Sequence, residues 1–123
     1  MYFIMKGLKG EEKQLMIKSK AVERLRKELS SYFKELKSQQ LKLKQMISEE
    51  KDSGLIKRQE QAIEETQAVI NDLKNKVIKE RDNLEIMVDD ITSEELRSTE
   101  TYSFAQKSIN ETNSYISTAL INL

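Results

Sequence analysis

The chain contains no cysteine and no histidine among its 123 residues. Without cysteine there are no disulfides, thiolate metal sites or cysteine nucleophiles. Without histidine the chain lacks the commonest general base and the commonest transition-metal ligand. Its three glycines, Gly7, Gly10 and Gly54, fit neither a P-loop nor a dinucleotide-binding pattern. The one kind of enzyme that this composition still permits is a hydrolase that uses carboxylates alone. Because the other catalytic groups are missing, we expect a protein that is not an enzyme and holds no metal or cofactor.

Long hydrophobic runs are also missing. No segment approaches the roughly 18 consecutive apolar residues that a membrane span needs. The opening stretch Met1–Met5 is apolar, but it is too short for the core of a signal peptide and no cleavage pattern follows it. We therefore expect a cytoplasmic protein that does not enter a membrane.

The chain is rich in charge and in helix-forming residues. Charged residues make up 34% of it and no proline interrupts it, a composition typical of long helices and coiled coils. Its length leaves room for one domain. A helical bundle of this size buries a stripe along each helix, so it can bind a partner on its outer faces but is poorly suited to enclosing a small molecule.

The formal charge sums to zero but is distributed unevenly. Residues 1–47 carry twelve Lys or Arg and five Asp or Glu, a net charge of +7, whereas residues 48–123 carry a net charge of −7. Oppositely charged helices favour each other's packing, and a dipolar surface also suits a charged partner protein. Nucleic-acid binding is not expected, because it usually requires net positive charge and aromatic or Arg-rich base contacts.

The first helix is predicted over residues 12–50. Its seam positions follow alternating steps of three and four residues, which is the heptad pattern. They are Val22, Leu25, Leu29, Tyr32, Leu36, Gln39, Leu43 and Met46. Leu15, Phe33 and Ile47 widen this stripe, as expected for a helix that contacts two neighbours.

The clearest break in the pattern comes at residues 51–54, with the sequence KDSG. Asp, Ser and Gly in succession predict a helix stop, a tolerant backbone position and a new N-cap. A second helix is predicted over residues 55–90, with an apolar seam residue at every seventh position. The seam residues are Ile56, Ile63, Ile70, Val77, Leu84 and Ile91. Val69, Ile78 and Val88 add apolar surface beside them. Two helices of matching length around a short turn predict an antiparallel hairpin.

Polar residues interrupt both seams, at Gln39 in the first helix and at Gln59, Thr66 and Glu80 in the second. Such layers weaken packing and can fix the register of paired helices. Ligand binding is the alternative interpretation, but it is disfavoured because no cavity is expected in so small a bundle.

A third helix is predicted over residues 93–119. Thr92 and Glu95 have the spacing of a capping box, and acidic residues in a first turn suit the helix dipole. Its apolar face consists of Leu96, Ala105, Ile109, Ile116 and Leu120, with Tyr102 and Phe104 as candidate additions. These elements predict an all-α fold, an antiparallel three-helix bundle over residues 12–120 with spectrin-like up-down-up connections. Residues 1–11 are predicted to be an N-terminal lead-in outside the bundle.

The starts of the first two helices carry short patterns that resemble the tubulin-binding cofactor A family, the small tubulin-folding chaperones of eukaryotes. Helix one contains Gln14–Ser19 (QLMIKS) and Val22–Glu28 (VERLRKE), and helix two opens with Leu55–Ile63 (LIKRQEQAI). The resemblance runs from about residue 14 to 111. It is carried by the joint placement of these patterns around one turn, and the third helix matches only loosely.

The chain departs from the family pattern at several positions. The family reads apolar-Lys-apolar-Lys-Thr before the second motif, where this chain has Met16 for the first lysine and Ser19 for the threonine. Glu23 replaces a lysine before Arg24. In helix two, Gln61 stands where the family has glutamate.

The resemblance implies a chaperone that holds β-tubulin and passes it to the αβ-heterodimer pathway, without nucleotide or metal. It implies a cytoplasmic, cytoskeleton-associated protein whose partners are β-tubulin and other tubulin-folding cofactors. Both a monomer and a homodimer stay open. The candidate client contacts are Lys18, Arg24, Lys27, Lys57, Arg58, Glu60 and Glu64. The alternative for each of them is ordinary solvated surface with local pairing, such as Glu23 with Lys27.

Other classes of helical protein fit the chain less well. A structural coiled-coil or tethering module without a chaperone role is the alternative function. Its SNARE-like form would normally run unbroken for longer beside a membrane anchor, whereas Gly54 interrupts this seam. A secreted bacterial helical hairpin commonly has a Trp-x-Gly turn, and this chain has no tryptophan. A prefoldin-like subunit needs β-hairpins between its helices, and the turn at Asp52 is too short to hold one.

Overall fold

The computed structural model describes residues 10–120, and the side chains of residues 10–119. Four α-helices make up most of this part of the chain: α1 is Gly10–Ser48, α2 is Ser53–Asp89, α3 is Glu94–Arg97 and α4 is Glu100–Tyr115. A short π-helical segment, Ile116–Leu120, follows α4. No strand occurs within the described residues, so the predicted all-α class is confirmed there. Residues 1–9 of the predicted lead-in lie outside the described part.

The chain divides into two compact units. Unit one is Met1–Arg26 with Lys76–Leu123, of which residues 10–26 and 76–120 are described. It holds the start of α1, the end of α2, and both α3 and α4. Unit two, Lys27–Asn75, holds the end of α1, the turn and the start of α2.

Unit one has a core to which every one of its helices contributes. Its buried apolar residues are Leu15, Val22, Leu84, Val88, Ile91, Leu96, Ala105 and Ile109. Polar contacts join α4 to α1 at successive levels, Thr101 to Glu12 at 3.0 Å and Ser108 to the carbonyl of Ser19 at 3.5 Å. The two contacts advance together along both helices, so α1 and α4 run parallel. Ser108 and Ser19 are both buried, and their small side chains allow this close approach.

Unit two is an antiparallel hairpin made of two helical segments. The buried apolar residues on its seam are Leu29, Ile63, Ile70 and Leu73. Unit two contains no third helix among the described residues, so within the unit each segment is covered on one side only. Ile47 and Val69 show the consequence. Both were predicted to widen the buried stripe, yet they are 55% and 36% exposed.

The turn between α1 and α2 differs in detail from the sequence prediction. Lys51 donates its N–H to the carbonyl of Met46 at 3.0 Å, and Glu50 donates to Ile47 at 3.1 Å. These two bonds form a Schellman motif. Its left-handed residue is Glu50, with φ of 54°, whereas Gly54 already lies inside α2.

Asp52 caps the start of α2. Its carboxylate accepts the N–H of Gly54 at 3.0 Å, and its carbonyl accepts the N–H groups of Leu55 and Ile56. A Cβ at position 54 would lie 2.9 Å from that carboxylate oxygen. Glycine therefore leaves space for the capping contact here, and its φ freedom is not required.

The predicted third helix is broken into two helices. The N-cap of α3 is Ser93, whose side chain accepts from the N–H of Leu96, so the expected cap at Thr92 is wrong. The chain then leaves helical geometry at Thr99, which caps α4 by accepting from Tyr102. Hydroxyl side chains compete for backbone bonds, which explains why a continuous helix over residues 93–119 does not form.

Candidate protein-binding surface

The seven predicted client contacts fall into both units. Lys18 and Arg24 belong to unit one, whereas Lys27 and the helix-two residues Lys57, Arg58, Glu60 and Glu64 belong to unit two. Lys18 is half-buried, and the other six are exposed. The structure therefore offers most of the predicted residues to solvent, in two groups.

The helix-two group forms a charged surface at the start of α2. Lys57, Glu60 and Glu64 are separated by three and four residues, so they share one side of the helix, and Arg58 lies on the adjacent side. None of these four side chains makes an ion pair with the described residues. Glu60 and Glu64 are like charges at a spacing that is repulsive in a helix. The charge here is available to a partner.

Lys27 lies apart from this group within unit two. Gln59 donates its side-chain N–H to the backbone carbonyl of Gln39 at 3.0 Å, which fixes the level at which α1 meets the start of α2. Lys27 is about 18 Å further along α1 from that level, at 1.5 Å per residue. Glu23, named with Lys27 as an example of local pairing, forms its ion pair with Arg26.

A surface that the sequence prediction did not include lies on α1 in unit two. It is a shallow, open groove of about 460 Å³ between side chains of this one helix. The groove is lined by Lys34, Lys37, Ser38, Leu41, Lys42 and Gln45. Leu41 is 61% exposed. The signal that could have revealed this surface is an apolar residue placed off the heptad seam.

A second groove, of about 450 Å³, lies in unit one between α2 and α4. Its lining is acidic and amide-rich at Glu85, Asp89, Gln106 and Asn110. No group of three or more potential metal ligands occurs in the described part of the chain. Nor does any described helix have the length and apolar character to cross a membrane.

A family model described as "Tubulin binding cofactor A" matches residues 10–109. The chain belongs to the tubulin binding cofactor A family. The match begins with α1 and extends through α2 and α3 into α4. Comparisons with curated proteins and with solved structures gave no significant match.

Membership of the tubulin binding cofactor A family confirms the resemblance seen in the sequence. It makes the chain a tubulin-binding cofactor, in a family of chaperones that is not known for enzymatic activity. The match covers both groups of predicted contacts and the groove on α1. A tubulin-binding cofactor binds another protein, and exposed charged helix faces are suited to electrostatic complementarity with a protein partner.

Proposed function

We propose that the protein is a tubulin-folding chaperone that captures β-tubulin folding intermediates and passes them to the heterodimer assembly pathway. The observation that carries the proposal is the family match over residues 10–109. The proposal includes a cytoplasmic, cytoskeleton-associated location and contact with other tubulin-folding cofactors. It is compatible with a monomer and with a homodimer.

The physical basis of capture is a set of charged helix faces that are ordered before the client arrives. Lys57, Arg58, Glu60 and Glu64 are exposed on α2 and make no ion pair with the described residues. Binding therefore breaks no internal ion pair of these side chains. Charge complementarity at such faces raises the encounter rate and the selectivity more than the final affinity.

Holding the client requires no chemical step. The helices would cover an interface of partly folded β-tubulin and keep it from aggregating until transfer. A partner surface that is already rigid loses little conformational entropy on binding. Release then depends on competition by the next protein in the pathway.

The test is capture of purified, chaperonin-released β-tubulin by the immobilised full-length chain. The wild-type chain should retain β-tubulin in preference to α-tubulin. The double variant Lys57→Glu/Arg58→Glu should retain clearly less, with helicity and melting temperature unchanged. A matched control is Lys76→Glu/Lys79→Glu, which changes charge equally at two exposed lysines of α2 in unit one.

Two results would count against the proposal at different levels. Failure of the wild-type chain to retain β-tubulin would reject the chaperone function itself and favour a structural coiled-coil role. Equal retention by the double variant and the control would remove Lys57 and Arg58 from the contact surface.

A further inference from the structure

We propose that the outer side of α1 in unit two is a docking surface for an acidic peptide segment that carries an apolar side chain. The residues of this surface, called the lysine face below, are Lys34, Lys37, Leu41 and Lys42. The inference rests on the proposed function, because the acidic segment is taken to belong to the tubulin client. It adds a site that the predicted contacts do not include, within the residues that the family match covers.

Lys34, Lys37 and Leu41 point away from the partner helix, and Lys42 lies at the edge of the lysine face, about 60° from Gln39 around the helix. Gln39 faces α2, since its carbonyl accepts from Gln59 at 3.0 Å. An α-helix turns by about 100° per residue, so Leu41 points about 200° away from Gln39. Unit two contains only the segments of α1 and α2, and no other described element of the unit covers this side.

The three lysines lack acidic neighbours along the helix. Residues three and four positions away are adjacent on a helix surface. None of those positions around Lys34, Lys37 or Lys42 is occupied by Asp or Glu. No lysine of the face makes an ion pair with the described residues. Lys34 and Lys37 are themselves three residues apart, so the folded helix keeps a like-charge repulsion that an anionic partner would relieve.

Leu41 supplies the apolar part of the surface. Its side chain is 61% exposed and stands between Lys37 and Lys42 in the groove of about 460 Å³. Burying an exposed leucine against a partner is favourable, while the flanking ammonium groups stay close enough to contact carboxylates. Ammonium groups act as point charges without the planar geometry that reads bases. This combination fits an acidic peptide with an apolar residue better than a nucleic acid.

The direct experiment measures the affinity of a fluorescent synthetic peptide of Asp and Glu with one central Leu, using anisotropy and the full-length chain. Lys34→Glu/Lys37→Glu/Lys42→Glu should weaken binding by about tenfold or more, since opposite charges are replaced by like charges. The control Lys13→Glu/Lys20→Glu/Lys79→Glu changes net charge equally at exposed lysines of unit one and should weaken binding by less than about threefold.

A second pair of variants tests the apolar contact. Leu41→Ser should weaken peptide binding by about threefold or more. Ile86→Ser is the matched control, because Ile86 is 60% exposed but lies in unit one, and it should leave binding unchanged. The neutral triple variant Lys34→Gln/Lys37→Gln/Lys42→Gln should also weaken peptide binding. It keeps the test valid if the charge-reversed variant fails to fold.

The same variants are then used for β-tubulin capture. Wild-type capture together with loss of capture by the lysine-face variants, but not by their controls, supports the inference. Normal capture and peptide binding by those variants would overturn it and leave the chaperone proposal standing. An oligonucleotide that binds the wild-type chain more tightly than the peptide would overturn the choice of partner. No β-tubulin capture by the wild-type chain would overturn both proposals.

Discussion

Arg26 of α1 donates a hydrogen bond to the carboxylate of Glu111 of α4 at 2.9 Å. The same guanidinium contacts Thr112 at 3.3 Å and pairs with Glu23 on its own helix. Its side chain is only 14% exposed, whereas that of Glu111 is 43% exposed. The pair therefore acts as a partly shielded link between α1 and α4, in which solvent screens the glutamate side.

Replacing Arg26 by Ala should lower the free energy of unfolding by about 1–2 kcal/mol, because a charge-assisted hydrogen-bond cluster is lost. Urea unfolding followed by circular dichroism measures this change. Lys107→Ala is the control, since Lys107 approaches the same Glu111 at 3.8 Å but is largely exposed. The control should cost less than about 0.5 kcal/mol. Equal losses in both variants would contradict the role assigned to Arg26.

Replacing Glu50 by Gly should stabilise the turn between α1 and α2. Glu50 occupies the left-handed position of a Schellman motif, with φ of 54°. A residue with a Cβ pays about 1–2 kcal/mol for that conformation, and glycine loses about 0.5–1 kcal/mol in chain entropy. The expected gain is about 0.5–1 kcal/mol in the free energy of unfolding. Glu49→Gly, next to it, should give no gain, and a gain at position 49 alone would show that the motif is assigned wrongly.

Replacing Gln39 by Leu should also stabilise the chain. The side-chain oxygen of Gln39 is buried without a hydrogen-bond partner, and such a group costs about 1–3 kcal/mol. The backbone carbonyl that accepts from Gln59 is retained in the variant. We expect an increase of about 1 kcal/mol in the free energy of unfolding. Gln40→Leu, at an exposed neighbouring position, should change it by less than about 0.5 kcal/mol.

A pair of alanine variants compares the observed N-cap of α4, Thr99, with the cap predicted from the sequence, Thr92. Thr99 accepts the N–H of Tyr102 at 3.1 Å, so Thr99→Ala should cost about 1 kcal/mol of stability. Thr92 is exposed and does not cap α3, whose N-cap is Ser93. Thr92→Ala should therefore change stability by less than about 0.5 kcal/mol. The reverse order of the two effects would restore the capping box predicted from the sequence.

The sequence supplied only part of the candidate surface, and its contact residues stay predictions. The resemblance pointed to Lys57 and Arg58, and the structure leaves both exposed and outside any ion pair with the described residues. It did not point to the lysine face, because single lysines in a charged helix look alike in sequence. What distinguishes that face is Leu41, whose exposure follows from its position opposite the helix seam.

The sequence alone determined the helical class and the pairing of the first two helices. The seven-residue repeat of α2 buries Ile63, Ile70, Val77 and Leu84 as expected, because a residue on the inner side of a helix is buried whichever neighbour covers it.

Only the tertiary structure decided which parts of the first two helices pack with the third helical region. Its bonds to Glu12, Ser19 and Arg26 all lie in unit one, and unit two is left as two helical segments. Local preferences could not show this, since Ile47 and Val69 have the residue type and spacing of core positions. Burial depends on whether a further element is present beside a helix, and that is a property of contacts distant in sequence.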